Sequence, residues 1–486
     1  MREPRFISRR DFLFEAGAGL SGLALLDLLD RDGLLAQTPA ACSRRDGFPG
    51  SPNLPKPPHF KARAKSVISL FMSGGVSHVD TFDYKPALAK YHGMPLEGKG
   101  EVRVRQGYPG PLMKSPYQFK QYGQSGAWVS ELFPHIGGIV DDLAFIYSCQ
   151  GKSNDHVLAH YEWNTGSILM GFPSVGSWVT YGLGSENQNL PAFVVIYDAR
   201  GGPFSGPANW SAGFLPAAYQ GTVFRSTGDP ILDLTPPSNH VTPEQERARL
   251  DQLNWLNQQH ADKHPGSTEL AARIASYEMA YRMQMCAPEA VDLARESDET
   301  KRLYGLDHPV TAPFGKQCLL ARRLIERDVR FVQLYSGSLV NQNVDTWDAH
   351  ASIVDNHGQH AAEVDKPIAG LIRDLKQRGL LDETLVLWHS EFGRMPISQR
   401  GLGRDHNPGA MTVFLAGAGI PGGQQIGATD EVGYKAEQQI VPCHDLHATL
   451  LHLMGLNHKR VTYFFNGRSM RLTDVHGELI PQIAGS

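Results

Sequence analysis

The chain has 486 residues, 41% of them hydrophobic and 20% charged, an ordinary globular composition that excludes a wholly disordered protein. Its 46 basic and 50 acidic residues leave a formal net charge of −4, so no global basic field draws it to nucleic acid or to an anionic membrane. Length alone allows three ordinary domains or one large α/β domain with insertions, and 20 histidines are the unusual count.

In chain order, Ser8-Arg9-Arg10-Asp11-Phe12-Leu13 leads into a weakly apolar run, GAGLSGLALLDLL, and then a Gln/Pro/Ala stretch. The pattern resembles a twin-arginine export signal, read by the translocase that carries folded proteins across the bacterial inner membrane. Residues 1–41 are assigned to it, which implies a periplasmic or cell-surface destination. Asp27, Asp30 and Asp32 break the run, which is too short for a stable transmembrane span of about 20 apolar residues. Gly17-x-Gly19-x-x-Gly22 has the spacing of a dinucleotide loop but no strand before it, so it is not read as one. Pro- and Lys-rich residues 42–65 read as a linker, with the folded body over 66–486.

Apolar runs rich in β-branched and aromatic residues recur at 66–72, 143–148, 192–197, 329–335, 384–390 and 411–416. Helical periods lie between several of them, as in FGKQCLLARRLIER and AAEVDKPIAGLIRDLKQRG. This alternation predicts an α/β fold, a mostly parallel sheet flanked by helices. Gly/Pro/Ser-rich residues 198–240 read as a long surface loop, and charged residues 243–304 as a helical insertion. Five cysteines without a C-x-x-C pair exclude a zinc ribbon and a dense disulfide framework, leaving room for one isolated disulfide.

Ligands of open α/β sheets bind beyond the carboxyl ends of the strands, and polar clusters follow the apolar runs there. Ser73-Gly74-Gly75-Val76-Ser77-His78 follows the first, and Ser153-Asn154-Asp155-His156 the second. Asp345-Thr346-Trp347-Asp348-Ala349-His350 follows the fourth, Ser390-Glu391-Phe392-Gly393-Arg394 the fifth, and Arg404-Asp405-His406 lies just beyond. Carboxylates and imidazoles grouped at strand ends are what a divalent metal needs, and such donors suit zinc or manganese. Asp348, His350 and His406 are the best candidates, with Asp345 as a second carboxylate or supporting residue. His444 and His447 open a helix beside an acid and are read as capping and packing.

The stretch from Asp365 to Arg394 resembles the sulfatase pattern of helix, glycine turn, apolar strand and Ser-Asp-His-Gly, within the superfamily of alkaline phosphatases, sulfatases and cofactor-independent phosphoglycerate mutases. Ser390, Glu391 and Gly393 match it, Glu391 standing for the metal-binding Asp and Phe392 for a metal-binding His. Asp405-His406 resembles the later element that supplies another ligand. GGVSHVDTFDYKP, GFLPAAYQGT and NGRSMRLTDVHGELI make the body similar to domain-of-unknown-function family 1501, sulfatase-like proteins that often carry a twin-arginine signal.

The resemblance implies an α/β alkaline-phosphatase/sulfatase-like fold and a divalent metal, zinc first, then manganese or calcium. The metal would be held by Asp348, His350, Glu391 and His406, with Asp405 and Asp345 nearby. It implies hydrolysis of a sulfate or phosphate ester of a small molecule or polysaccharide, with Arg394 or Arg404 on the anion and His156 or Ser153 near the leaving group. Two departures stand against it. His156 occupies the place of the Ser, Thr or Cys nucleophile, and neither Cys286 nor Cys318 lies in a formylglycine motif. A binding protein that keeps the fold without turnover is the alternative; a serine esterase built on Ser77 lacks the second glycine of its elbow.

Overall fold

Nine strands make one sheet: β1 (Ser66–Met72), β2 (Leu143–Gln150), β3 (Phe193–Ile196), β4 (Thr222–Phe224), β5 (Phe331–Ser336), β6 (Thr384–His389), β7 (Met411–Gly417), β8 (Gln424–Ile426) and β9 (Val441–Pro442). This computed structural model describes residues 51–485 except 100, 101, 103, 106, 233, 235–241, 265 and 342–344. The segment assigned to export and the start of the linker lie outside the described residues. The order across the sheet is β8-β2-β7-β6-β1-β5-β3-β4, with β9 also on β2. Only β7 runs against its neighbours; the other pairings are parallel.

The six apolar runs are the six long strands, and burial on both faces explains their continuous hydrophobicity. Along β1, Ile68, Leu70 and Met72 enter one core, shared with α5 (Ala312–Ile325) and α6 (Ile353–Gln377). Val67 and Phe71 enter the opposite core, shared with α1 (His156–Thr165), α2 (Val175–Leu183) and α7 (Cys443–Leu453). The period of two along an extended strand thus feeds two layers of helices.

Residues 198–240, expected as a surface loop, do more over their described part. β4 extends the sheet edge, and Phe204, Trp210 and Tyr219 are buried. Glycine and proline content marked the irregular backbone but not the aromatic side chains that anchor it. Within 243–304 lie α3 (Pro243–Ala261) and α4 (Thr268–Val291). A Thr242/Gln245 capping box starts α3, and Arg247 on α3 pairs with Glu278 on α4 at 3.1 Å. Met283, Ala287 and Ala290 of α4 pack into the core that holds α5. Cys149, Cys318 and Cys443 are free and buried, and Cys286 is disulfide-bonded. Among the described residues no helix is long and apolar enough to cross a membrane.

Candidate metal centre

The loops after β1, β2, β5 and β6 meet at one end of the sheet. After β1 the chain turns through Gly74 and Gly75, both at positive φ. A Cβ on Gly74 would stand 2.4 Å from Trp347 N, and one on Gly75 2.6 Å from the Phe392 ring, so only glycine lets these loops approach so closely. After β2, Asp155 caps α1 by accepting from Val157 N at 3.0 Å, which sets His156 as the first helical residue. The loop after β5 carries Asp348 and His350. Beyond β6 a short ribbon, Gly393–Arg394 paired with His406–Asn407, brings in His406.

His156, Asp348, His350 and His406 each offer one ligand atom, and these atoms lie within 4.8 Å of one another. All four residues are buried. His350 Nε2 and His406 Nε2 stand 3.0 and 3.1 Å from Asp348 Oδ1, and His156 Nε2 stands 3.3 Å from Oδ2. The Nε2 atoms of His156 and His350 have no aligned hydrogen-bond partner despite this closeness.

The opposite nitrogen of each ring is held by an acceptor. His156 Nδ1 donates to Glu391 Oε1 at 2.7 Å, His350 Nδ1 to the Gln399 side-chain oxygen, and His406 Nδ1 to the Asn154 carbonyl at 2.7 Å. A neutral ring protonated at Nδ1 leaves a lone pair on Nε2. Arg394 and His406 Nε2 already meet Asp348 Oδ1, while the buried Nε2 atoms of His156 and His350 have no aligned partner; with Nδ1 of each ring held from behind, this donor set fits a metal, and the outer acceptors orient the rings as supporting residues of metal sites do.

Without an ion, the electrostatics keep both carboxylates ionised and place a proton on His156. Burial disfavours the charge on Asp348, but Arg394 and the three imidazoles hold its carboxyl well below the usual range. Burial also opposes ionisation of Glu391, and His160 and His156 outweigh it. Burial lowers His156, yet Asp348 and Glu391 raise it above an ordinary histidine. Positive charge is favoured on the ring between the two carboxylates.

A family model described as a protein of unknown function, DUF1501, matches residues 64–484. The chain belongs to the DUF1501 family. No curated protein matches it. Among solved structures it is similar to PsFucS1 sulfatase from Pseudoalteromonas sp., at 12% identity and TM-score 0.34 over 80% of this chain and 68% of that one. It is also similar to the lipoteichoic acid synthase LtaP from Listeria monocytogenes, at 10% identity and 0.34 over 86% and 77%. An alkaline phosphatase from the Antarctic bacterium TAB5 has 10% identity and 0.32 over 77% and 96%. Likeness of that degree says nothing about chemistry.

Other residues expected at the site are not among the four grouped donors in this DUF1501 protein. Glu391 is not among the four grouped donors; it spans His156, Gly74 N and Ser390. Asp405 accepts from His406 N and stands 3.8 Å from His350 Nδ1, away from Nε2. Asp345 belongs to a separate ion network with Arg200, Asp198 and Glu363. Arg394 is wholly buried and donates to Gly74 O, Gly75 O, Trp347 O, Arg404 O and Asp348. It clamps the loops and does not meet solvent, so it cannot hold a substrate anion. Arg404, equally buried, pairs with Asp80. Ser153 Oγ accepts from Asp155 N, and Ser77 Oγ donates to Asp80. His444 and His447 tie α7 to the end of α1 through Gly166 O and Trp163 O.

Sequence reasoning missed Gln399, Phe204 and Arg105. Phe204 stacks on His156 with ring centroids 4.1 Å apart, and Phe392 stacks on His406 at 4.5 Å. The Arg105 side chain is 46% exposed and pairs with Asp155 at 2.6 Å, while its backbone N–H bonds Asp405. None of the three lies in a local motif that marks it.

Proposed function

We propose that the protein is an exported, zinc-dependent hydrolase of a sulfate or phosphate ester. The convergence of three Nε2 atoms on Asp348, each ring fixed from behind, supports this reading most. Three nitrogens and one carboxylate oxygen suit zinc better than calcium or manganese, which favour oxygen-rich donor sets. When bound, such an ion polarises an ester oxygen and lowers the pKa of a water.

The chain's own residues have separable tasks. His156, Asp348, His350 and His406 hold the ion, and Glu391, Gln399 and the Asn154 carbonyl orient the rings. Phe204 and Phe392 exclude water from the flanks of His156 and His406. Arg105, half exposed and tied to the residues just before His156 and His406, takes the anion-holding role expected of Arg394. The twin-arginine pattern supports delivery by its translocase to the periplasm or cell surface.

The alternative, a metal-bearing binding protein on the same fold, draws on one observation. Three of the nearby hydroxyls are buried and engaged: Ser73 with His160, Ser77 with Asp80, Ser390 with Met72 O and Glu391. Metal analysis of the purified protein is expected to find stoichiometric zinc, followed by turnover on a panel of aryl sulfates, aryl phosphates and phosphodiesters. Zinc retained with no turnover on any of them favours the binding protein. Wild-type protein that takes up no divalent ion, and is not stabilised by any, sinks both readings.

A further inference from the structure

On one side the sheet ends with β4, only three residues long. Past β4 the chain turns back, Arg225 N donating to Pro230 O at 2.8 Å. This turn, the end of α4 and the middle of α5 border a cavity of about 760 Å³ at the last residue of β3. Ile196, Ile231, Val291, Leu293 and Leu320 give it apolar walls, which favour an apolar guest over water. Gln317 also lines it and is only 2% exposed. Its Nε2 donates to Tyr197 O, just after β3, at 3.3 Å, and its Oε1 has no donor. A buried acceptor without a donor is unfavourable, so a guest that brings an N–H or O–H gains there.

The rim is cationic. Arg225 and Lys316 are exposed, line the cavity and form no ion pair among the described residues. Two acids line it as well. Asp292 is engaged, accepting from Ala294 N and pairing with Arg295, which leaves Asp229 against two cations. Lys316 and Gln317 are neighbours on α5 and Leu320 follows one turn on, so charge, acceptor and apolar wall succeed one another along one helix.

We propose that this cavity binds an amphiphilic anion, with its head at Arg225 and Lys316, an N–H or hydroxyl beside the head donating to Gln317 Oε1, and an apolar tail along the walls. The volume lies within the about 300–1,000 Å³ of small-molecule sites, whereas a protein partner needs a broad surface of about 800 Å². A cationic or purely polar guest would leave the excess positive charge or the apolar walls unmatched. The site is separate from the metal centre, since none of its walls comes from the loops that carry the four grouped donors.

The test is isothermal titration calorimetry of the full-length protein with N-decanoylglycine, which carries a carboxylate, an adjacent amide N–H and an apolar tail, at concentrations where it stays monomeric. One molecule is expected to bind per chain. Decanoate, which lacks the N–H, is expected to bind about fivefold more weakly, and decyltrimethylammonium, of opposite charge, not measurably. Arg225→Ala and Lys316→Ala should each weaken N-decanoylglycine about five- to tenfold at unchanged melting temperature, since both side chains are exposed. Gln317→Leu should erase the preference for N-decanoylglycine over decanoate. Any of four results overturns the proposal: no binding, equal binding of the cationic amphiphile, affinity unchanged in both Arg225→Ala and Lys316→Ala, or binding that a metal chelator abolishes, which places the carboxylate at the metal centre instead.

Discussion

Two groups of buried histidines sit in one molecule and behave differently. Around Asp348, three rings turn Nε2 toward one carboxylate while acceptors hold Nδ1. Elsewhere, His357, His389 and His447 are as deeply buried but meet only neutral partners: Ser77 N and Asn356 Oδ1 for His357, Ser69 Oγ for His389 and Trp163 O for His447. Burial pushes these three down to about 3, about 4 and about 3, so each is a neutral packing residue at pH 7. Burial alone therefore does not mark a ligand; convergence on a carboxylate with the far nitrogen held does.

The largest effect is expected from Asp348→Ala, which removes the carboxylate and leaves Arg394 buried and unpaired. A stability loss of about 3–5 kcal/mol and loss of bound zinc should appear together in thermal melts and metal analysis. If stability and metal content both stay at wild-type levels, the contrast between the two groups collapses. Glu391→Gln keeps the shape but weakens the hold on His156, and zinc affinity measured by chelator competition should fall about 10- to 100-fold. The matching change in the other group, His447→Gln, should leave zinc affinity untouched.

The pH response separates the groups further. His447 binds a proton near pH 6.5 when unfolded and only near 3 when folded, so the unfolded state binds more protons between those values. Its stabilising contribution is complete above about pH 6.5 and is lost as pH falls toward about 3, with a slope of about 1.4 kcal/mol per pH unit per proton. Denaturant melts across that window should show His447→Gln flattening the slope by about one proton's worth; an unchanged slope removes His447 from the neutral group. The smallest expected effect is Arg105→Ala. With zinc content unchanged, KM for an anionic ester should rise about five- to tenfold, the worth of one charge-assisted hydrogen bond, while kcat changes little.

Much of the fold was legible because strand signals are local. Six apolar runs, buried on both faces, became the six long strands, and polar residues after β2, β5 and β6 stood where strand-end chemistry belongs. The candidate site was legible in part. Asp348, His350 and His406 were singled out as ligands and lie together, whereas His156, read for its chemistry at the leaving group, stands among them as a donor. Arg394 looked like an anion holder because its motif supplies charge; neighbouring carbonyls, invisible in sequence, consume its donors.

The sequence by itself determined the strands, the helical layers between them and the pool of acids and imidazoles at the strand ends, since these follow from residue type and period along the chain. Only the tertiary structure decided which rings share a carboxylate, that Glu391 and Gln399 stand behind the rings, and that Phe204 and Arg105 arrive from distant segments. Those choices depend on the order of strands across the sheet and on loop approaches that two glycines permit, neither of which is written in any local spacing.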